Sequence, residues 1–164
     1  MREMTVALAW LLLVAAGGAA GPKGDADAAF DRLKRLVGEW KSEDGKDALT
    51  YELIAGGTAL LERETSASRP TMVTLYHRDG QRLVLTHYCM AGNQPRMEAR
   101  SFDAKTGELA FEFIGAGNLP NANAGHMRNV TFRFLDEDRF ESVWQFYKDG
   151  KVTLTERARY ARVR

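Results

Sequence analysis

The chain has 164 residues, room for one domain and too few for two ordinary ones. Lysine and arginine total 23 against 22 acidic residues, and that balance argues against a nucleic-acid or anionic-membrane footprint. A single cysteine, Cys89, excludes any intrachain disulfide, even in an oxidising compartment.

Residues 1–20 read as a secretory signal. Arg2 supplies a short basic start, Met4 to Ala16 form an apolar run, and the small residues Gly18 and Ala20 suit cleavage after Ala20. The run is short of the roughly 20 apolar residues a membrane span needs. The expectation is therefore an exported protein, periplasmic or secreted, with no stable membrane span in the mature chain. Residues 21–27 are a polar, flexible leader. Asp27 is placed to cap a short helix from Ala28 to about Leu36, with Phe30, Leu33, Leu36 and Val37 at helical spacing. The remaining domain, 28–164, is large enough to bury a core without covalent staples.

After the helix the periodicity becomes two. Strands are expected near 38–43, 48–55, 58–65, 71–77, 82–90, 95–102, 108–114, 127–135, 139–147 and 151–162. Gly56-Gly57, Asp79-Gly80, Thr106-Gly107, Asp136-Glu137-Asp138 and Asp149-Gly150 mark turns. About ten short consecutive strands fit an all-β, antiparallel, up-and-down barrel, a closure that removes exposed sheet edges. A two-sheet sandwich is the alternative. The longest connection, 115–126, has the length of a lid or binding loop.

Alternation points Leu49, Tyr51 and Leu53 inward, with Val73 and Leu75, Leu83 and Leu85, and Leu109, Phe111 and Phe113. Val130, Phe132, Phe134, Phe140, Trp144, Phe146, Val152 and Leu154 complete the set, while Glu112, Arg133, Arg139, Glu141 and Arg159 face out. The same parity sends polar groups inward: His87 and Cys89 beside Leu85, His126 and Arg128 beside Val130, Ser142, and Glu156 after Leu154. Buried polar groups need partners, a water or a ligand, and Arg128–Glu156 is one plausible pair. The densest polar stretch, His87 to Met97, adds Asn93, Gln94 and Arg96 at a strand end, where they would orient a small molecule at a barrel mouth or simply tie a corner. His87, Cys89 and His126 are candidate zinc or copper ligands, and His87 or His126 alone would serve as a haem axial ligand. Cys89 near either histidine would be a possible nucleophile, though a small thiol packing the barrel is the simpler reading.

Leu36-Val37-Gly38-Glu39-Trp40 resembles the Gly-x-Trp that opens the first strand of lipocalins and related calycins. The resemblance implies that Gly38 and Trp40 are structural, with Trp40 packed at the closed end beneath an arginine of the last strand: Arg157, Arg159 or Arg162. Met72 to His77, Leu85 to Met97 and His126-Met127 resemble a group of exported bacterial lipocalin-like proteins of unassigned function. The ten strands and Gly-x-Trp also resemble nitrobindin-type barrels, which implies haem held by one histidine; Lys41 to Lys46 differs from their glycine-rich first hairpin.

The leading expectation is an exported barrel holding a small apolar molecule, oriented by His87, Asn93, Gln94, Arg96, His126 and Arg128. The alternatives are a haem or metal protein using His126 or His87, a small-molecule isomerase or hydrolase with a histidine base, and a structural barrel with no ligand.

Overall fold

The computed structural model describes residues 25–164; the expected signal 1–20 and residues 21–24 of the leader lie outside the described residues. Helix α1 (Asp25–Lys34) is followed by β1 (Gly38–Ser42), β2 (Asp47–Ile54), β3 (Ala59–Ser66), β4 (Met72–Asp79) and β5 (Arg82–Tyr88). Then come β6 (Gln94–Asp103), β7 (Glu108–Gly117), β8 (His126–Phe134), β9 (Arg139–Lys148) and β10 (Lys151–Arg162). Each strand pairs antiparallel with the next, and β10 pairs with β1 to close the barrel. The up-and-down closure is the expected one, and the sandwich alternative falls. No helix among the described residues is long and apolar enough to cross a membrane.

Asp27 lies inside the first helical turn rather than before it, so the helix reaches into the expected leader. Asp25 and Asp27 there, with Arg32 and Lys34 in the last turn, complement the helix dipole. The helix buries Ala29, Phe30 and Leu33 and lies across the end of the barrel where hairpins β4–β5 and β8–β9 turn. Asp27 pairs with Arg78, Arg32 donates to the Asp136 carbonyl, and the Arg32 guanidinium covers the Phe134 ring. The hairpin β9–β10 turns through Asp149 and Gly150, both at positive φ, as a two-residue turn of the hand that matches strand twist.

The closed end centres on Trp40. Its indole Nε1 donates to the Leu36 carbonyl at 2.7 Å, and the Arg162 guanidinium lies 4.3 Å above the ring centroid. Of the three C-terminal arginines, Arg162 is the one that covers Trp40. It also donates to the carbonyls of Arg35, Val37 and Glu137, stitching the helix, β1 and the β8–β9 turn to the last strand. Arg162→Ala should cost about 2 kcal/mol, the sum of a cation–π contact and several charge-assisted bonds to backbone. Arg162→Lys should recover less than half of that, because an ammonium cannot span three carbonyls. Urea midpoints of the two variants check both figures; full recovery by lysine would show that charge alone matters.

Parity departs from expectation on three strands. On β4 the buried residues are Met72, Thr74 and Tyr76, and Val73 and Leu75 take the outer, half-buried face. Register explains it: Thr74 is paired with Glu62, whose carboxylate is buried in the lumen. On β10 a bulge between Val152 and Leu154 separates two residues expected on one face. On β8 a bulge between Met127 and Asn129 makes Arg128 the extra residue. Met127 then pairs with the inward Phe146, and His126 pairs with Tyr147, off the face of Val130. Leu53, at the rim, is exposed.

Candidate functional site

With one end plugged by α1 and Trp40, the other end carries the openings. β1 stops at Ser42, and its pairs with β10 run only from Ser42–Tyr160 to Trp40–Arg162. The upper part of β10 therefore has no partner on that side, and a cleft of about 1060 Å³ opens there. Met72, Met90, Met127, Phe146 and Leu154 give it apolar walls. Its charged rim is internally matched: Lys46 pairs with Asp44, and Arg157 and Arg159 both pair with Glu141.

A smaller chamber of about 20 Å³ lies deeper, room for one water-sized group. Met72, Met127, Glu156 and Ala158 belong to the walls of both and form the partition between them. The chamber is otherwise lined by Tyr51, Glu62, Glu64, His87, Ser142, Trp144 and Tyr160, with Leu49 and Phe132.

A polar relay runs along its wall. Tyr76 Oη donates to Glu62 Oε2 at 2.7 Å, and Thr74 Oγ1 donates to Glu62 Oε1 at 3.4 Å. Thr74 Oγ1 lies 3.0 Å from His87 Nδ1. With the Thr74 hydroxyl proton turned to the carboxylate, Nδ1 is the protonated nitrogen and donates to Oγ1. His87 Nε2 then carries a lone pair, and it is buried without a hydrogen-bond partner. Burial holds the imidazole pKa down to about 4, so the ring is neutral. It packs against Trp144, centroids 5.0 Å apart. Desolvation pushes the Glu62 carboxyl upward, against the bonds from Tyr76 and Thr74.

Above this relay sits Arg69, on the β3–β4 loop. Its Nη2 is 2.8 Å from both Asp47 Oδ1 and Glu64 Oε1, and its Nη1 is 3.0 Å from Glu156 Oε1. Desolvation lifts the Glu64 carboxyl to about 7; the charges of Glu62, Glu156 and Asp47 push the same way and Arg69 pulls back. Against its own desolvation, the Asp47 bond and the Glu64 and Glu156 charges keep Arg69 above the ordinary guanidinium value.

Of the six expected ligand-orienting residues, His87 is the one that lines a cavity. Asn93 is buried and donates from Nδ2 to the Gly125 carbonyl at 2.8 Å. Gln94 is half-buried against Gly117, and Arg96 is exposed on the outer face. His126 is buried in the wall, Nδ1 2.7 Å from the Ala124 carbonyl and its ring 4.7 Å from Phe113. Arg128 lies between the rings of Phe113 and Tyr147, and Glu156 has Arg69 as its partner instead. The 118–125 loop does not line the cleft. Asn118 ties it to the Gly92 carbonyl, its Asn123 carbonyl accepts from the Asp149 amide, and the Phe146 ring packs so tightly on Gly125 that a Cβ there would come within 2.6 Å.

Among the described residues, the three potential metal ligands that converge are Asp47, Glu64 and Glu156, not His87, Cys89 and His126. Cys89 lines the cleft, half-buried, with its thiol pKa raised by desolvation, which does not favour a nucleophilic thiolate. Haem does not fit the arrangement. His87 Nε2 offers a ligand atom, but the chamber before it is far too small for a macrocycle. The cleft that is large enough is lined by neither His87 nor His126.

No family model and no curated protein matches the sequence. The fold is similar to that of two solved structures. One is Rv2717c from M. tuberculosis, at 14% identity and a TM-score of 0.55, covering 83% of this chain and 98% of that one. The other is a protein of unknown function from the DUF3598 family of Nostoc punctiforme, at 14% identity and a TM-score of 0.51. That likeness covers 80% of this chain but 49% of the Nostoc chain, so this chain spans about half of its length. At such identity both likenesses carry the architecture alone: this chain is a closed ten-stranded antiparallel barrel, similar in fold to both structures.

Proposed function

We propose that the protein is an exported, lipocalin-like binding barrel that takes a small apolar molecule in the cleft beside β10. The observation that carries this reading is the cleft itself: about 1060 Å³, walled by Met72, Met90, Met127, Phe146 and Leu154. Ligand pockets have this size and this mostly apolar lining with a few convergent polar groups. Methionines suit a surface that adapts to its guest. The calycin reading is supported by Arg162 over Trp40 at the plugged end. The exported reading is supported by the apolar run Met4 to Ala16 followed by small residues, and N-terminal sequencing of the protein made in a bacterial host tests it.

Titration with a neutral fluorescent apolar probe, N-phenyl-1-naphthylamine, tests the cleft. The probe should bind with saturable fluorescence enhancement. Ala158→Phe, which fills the partition, should weaken it by about ten-fold, equivalent to ~1.4 kcal/mol. Leu154→Glu, at the exposed rim, should weaken it by a few-fold with an unchanged circular dichroism spectrum. Equal affinity in both folded variants would remove the cleft from consideration.

A further inference from the structure

We infer that the cleft and chamber together form a site for an amphiphilic organic cation, its primary ammonium head in the chamber before His87 Nε2, Glu64 and Glu156 and its apolar body in the cleft. This names the ligand class of the binding reading above and rests on it.

The first ground is the hydrogen-bond character of the chamber. Its wall holds three carboxylates, Glu62, Glu64 and Glu156, and no lysine or arginine. His87 is only 3% exposed, and its Nε2 is a buried lone pair with nothing to accept from. Exchanging tautomers would turn the Thr74 hydroxyl proton toward Nδ1 and cost its bond to Glu62. An unsatisfied buried acceptor costs about 1–3 kcal/mol, and a donor entering the chamber would recover it. A carboxylate entering would instead set a further negative charge beside Glu62, Glu64 and Glu156.

The second ground is charge. Asp47, Glu64 and Glu156 converge on one cation, Arg69, and the other cations around the cleft are matched, Lys46 by Asp44 and Arg157 and Arg159 by Glu141. Arg69 bonds Oε1 of Glu64 and Oε1 of Glu156, so the second oxygen of each is not used by it. A ligand cation would supply the missing positive charge beneath Arg69. The third ground is size. The chamber admits one water-sized group, which suits a primary ammonium, and the partition residues Met72, Met127 and Ala158 lead from it into the apolar cleft.

Displacement of the neutral probe by octylamine, 1-octanol and octanoate near pH 8 separates the possibilities, because the three share a tail and differ in head. Octylamine should displace at least about ten-fold more strongly than octanol, with octanoate weakest. In Glu156→Gln and in His87→Leu that advantage should fall below about three-fold while octanol is unaffected. Either variant suffices if the other fails to fold, and the wild-type head-group order needs neither. Equal affinity for amine and alcohol, or preference for octanoate, would overturn the inference and leave the apolar-ligand reading standing. Failure of all three compounds and of the probe would sink the binding reading itself.

Discussion

Phe140→Ala is expected to destabilise the barrel by about 3–5 kcal/mol, the range for truncating a fully buried aromatic. Phe140 is 1% exposed and sits at the centre of the closed end. Its ring meets Trp40 edge-on at 4.9 Å, stacks on Tyr160 at 5.1 Å, and touches Phe132 and Tyr51 at 6.2 and 6.3 Å. These neighbours come from β1, β10, β8 and β2, so one side chain joins strands on both sides of the β1–β10 closure. Trp40 cannot collapse into the hole freely, because its indole is fixed below by Leu36 and its face is covered by Arg162. A cavity that cannot relax gives the upper part of the range. Urea unfolding followed by tryptophan fluorescence measures the loss. Leu53→Ala, on the same barrel but exposed, should cost under about 1 kcal/mol. Comparable losses in the two variants would show that the closed end is not the tightly packed part of the molecule.

The strands were readable because alternation and turn residues are local properties, and so was the plug at Trp40. What was not readable depended on partners distant in the chain. Val73-Leu75 and Met72-Tyr76 are both apolar parities of one strand, and only pairing with Glu62 puts Thr74 and Tyr76 in the lumen. The bulge at Arg128 is invisible in composition, and it moves His126 off the luminal face that alternation assigned it. His87 stands on a strand without such a break next to it and does reach the chamber. Glu62, Glu64 and Arg69 had no motif to announce them. The usable signal was the spacing Leu60-Glu62-Glu64, an acidic pair continuing an apolar parity, together with Glu156 on the parity of Leu154. The choice among Arg157, Arg159 and Arg162 likewise needed the β1–β10 register, which pairs Trp40 with Arg162.

His87→Leu is expected to change the shape of the stability–pH profile more than its height. The folded imidazole titrates at about 4 against an ordinary 6.5, so between these values the unfolded chain binds the proton and the folded one does not. The contribution of this group is therefore fully present above about pH 6.5 and is lost as pH falls through 4. At about 1.4 kcal/mol per pH unit the loss approaches ~3 kcal/mol as an upper bound. Glu64 works in the opposite sense. Its folded carboxyl titrates at about 7 against an ordinary 4.5, so its contribution is present below 4.5 and is lost as pH rises through 7. The two windows overlap, and the slopes from His87 and Glu64 oppose each other from about pH 4.5 to 6.5. His87→Leu removes the rising slope, so relative to wild type its stability should fall as pH rises across that window; Glu64→Gln should gain relative to wild type as pH rises. Glu62, raised in the same direction as Glu64, persists in both variants and does not blur the contrast. Below about pH 4 Asp44, Asp103, Asp136 and Asp138, all held low by hydrogen bonds, govern the acid limb in every variant. Urea midpoints at half-unit intervals give the slopes directly. Parallel profiles in wild type and His87→Leu would mean that the imidazole is solvated, and the orphaned Nε2 on which the cation site depends would go with it.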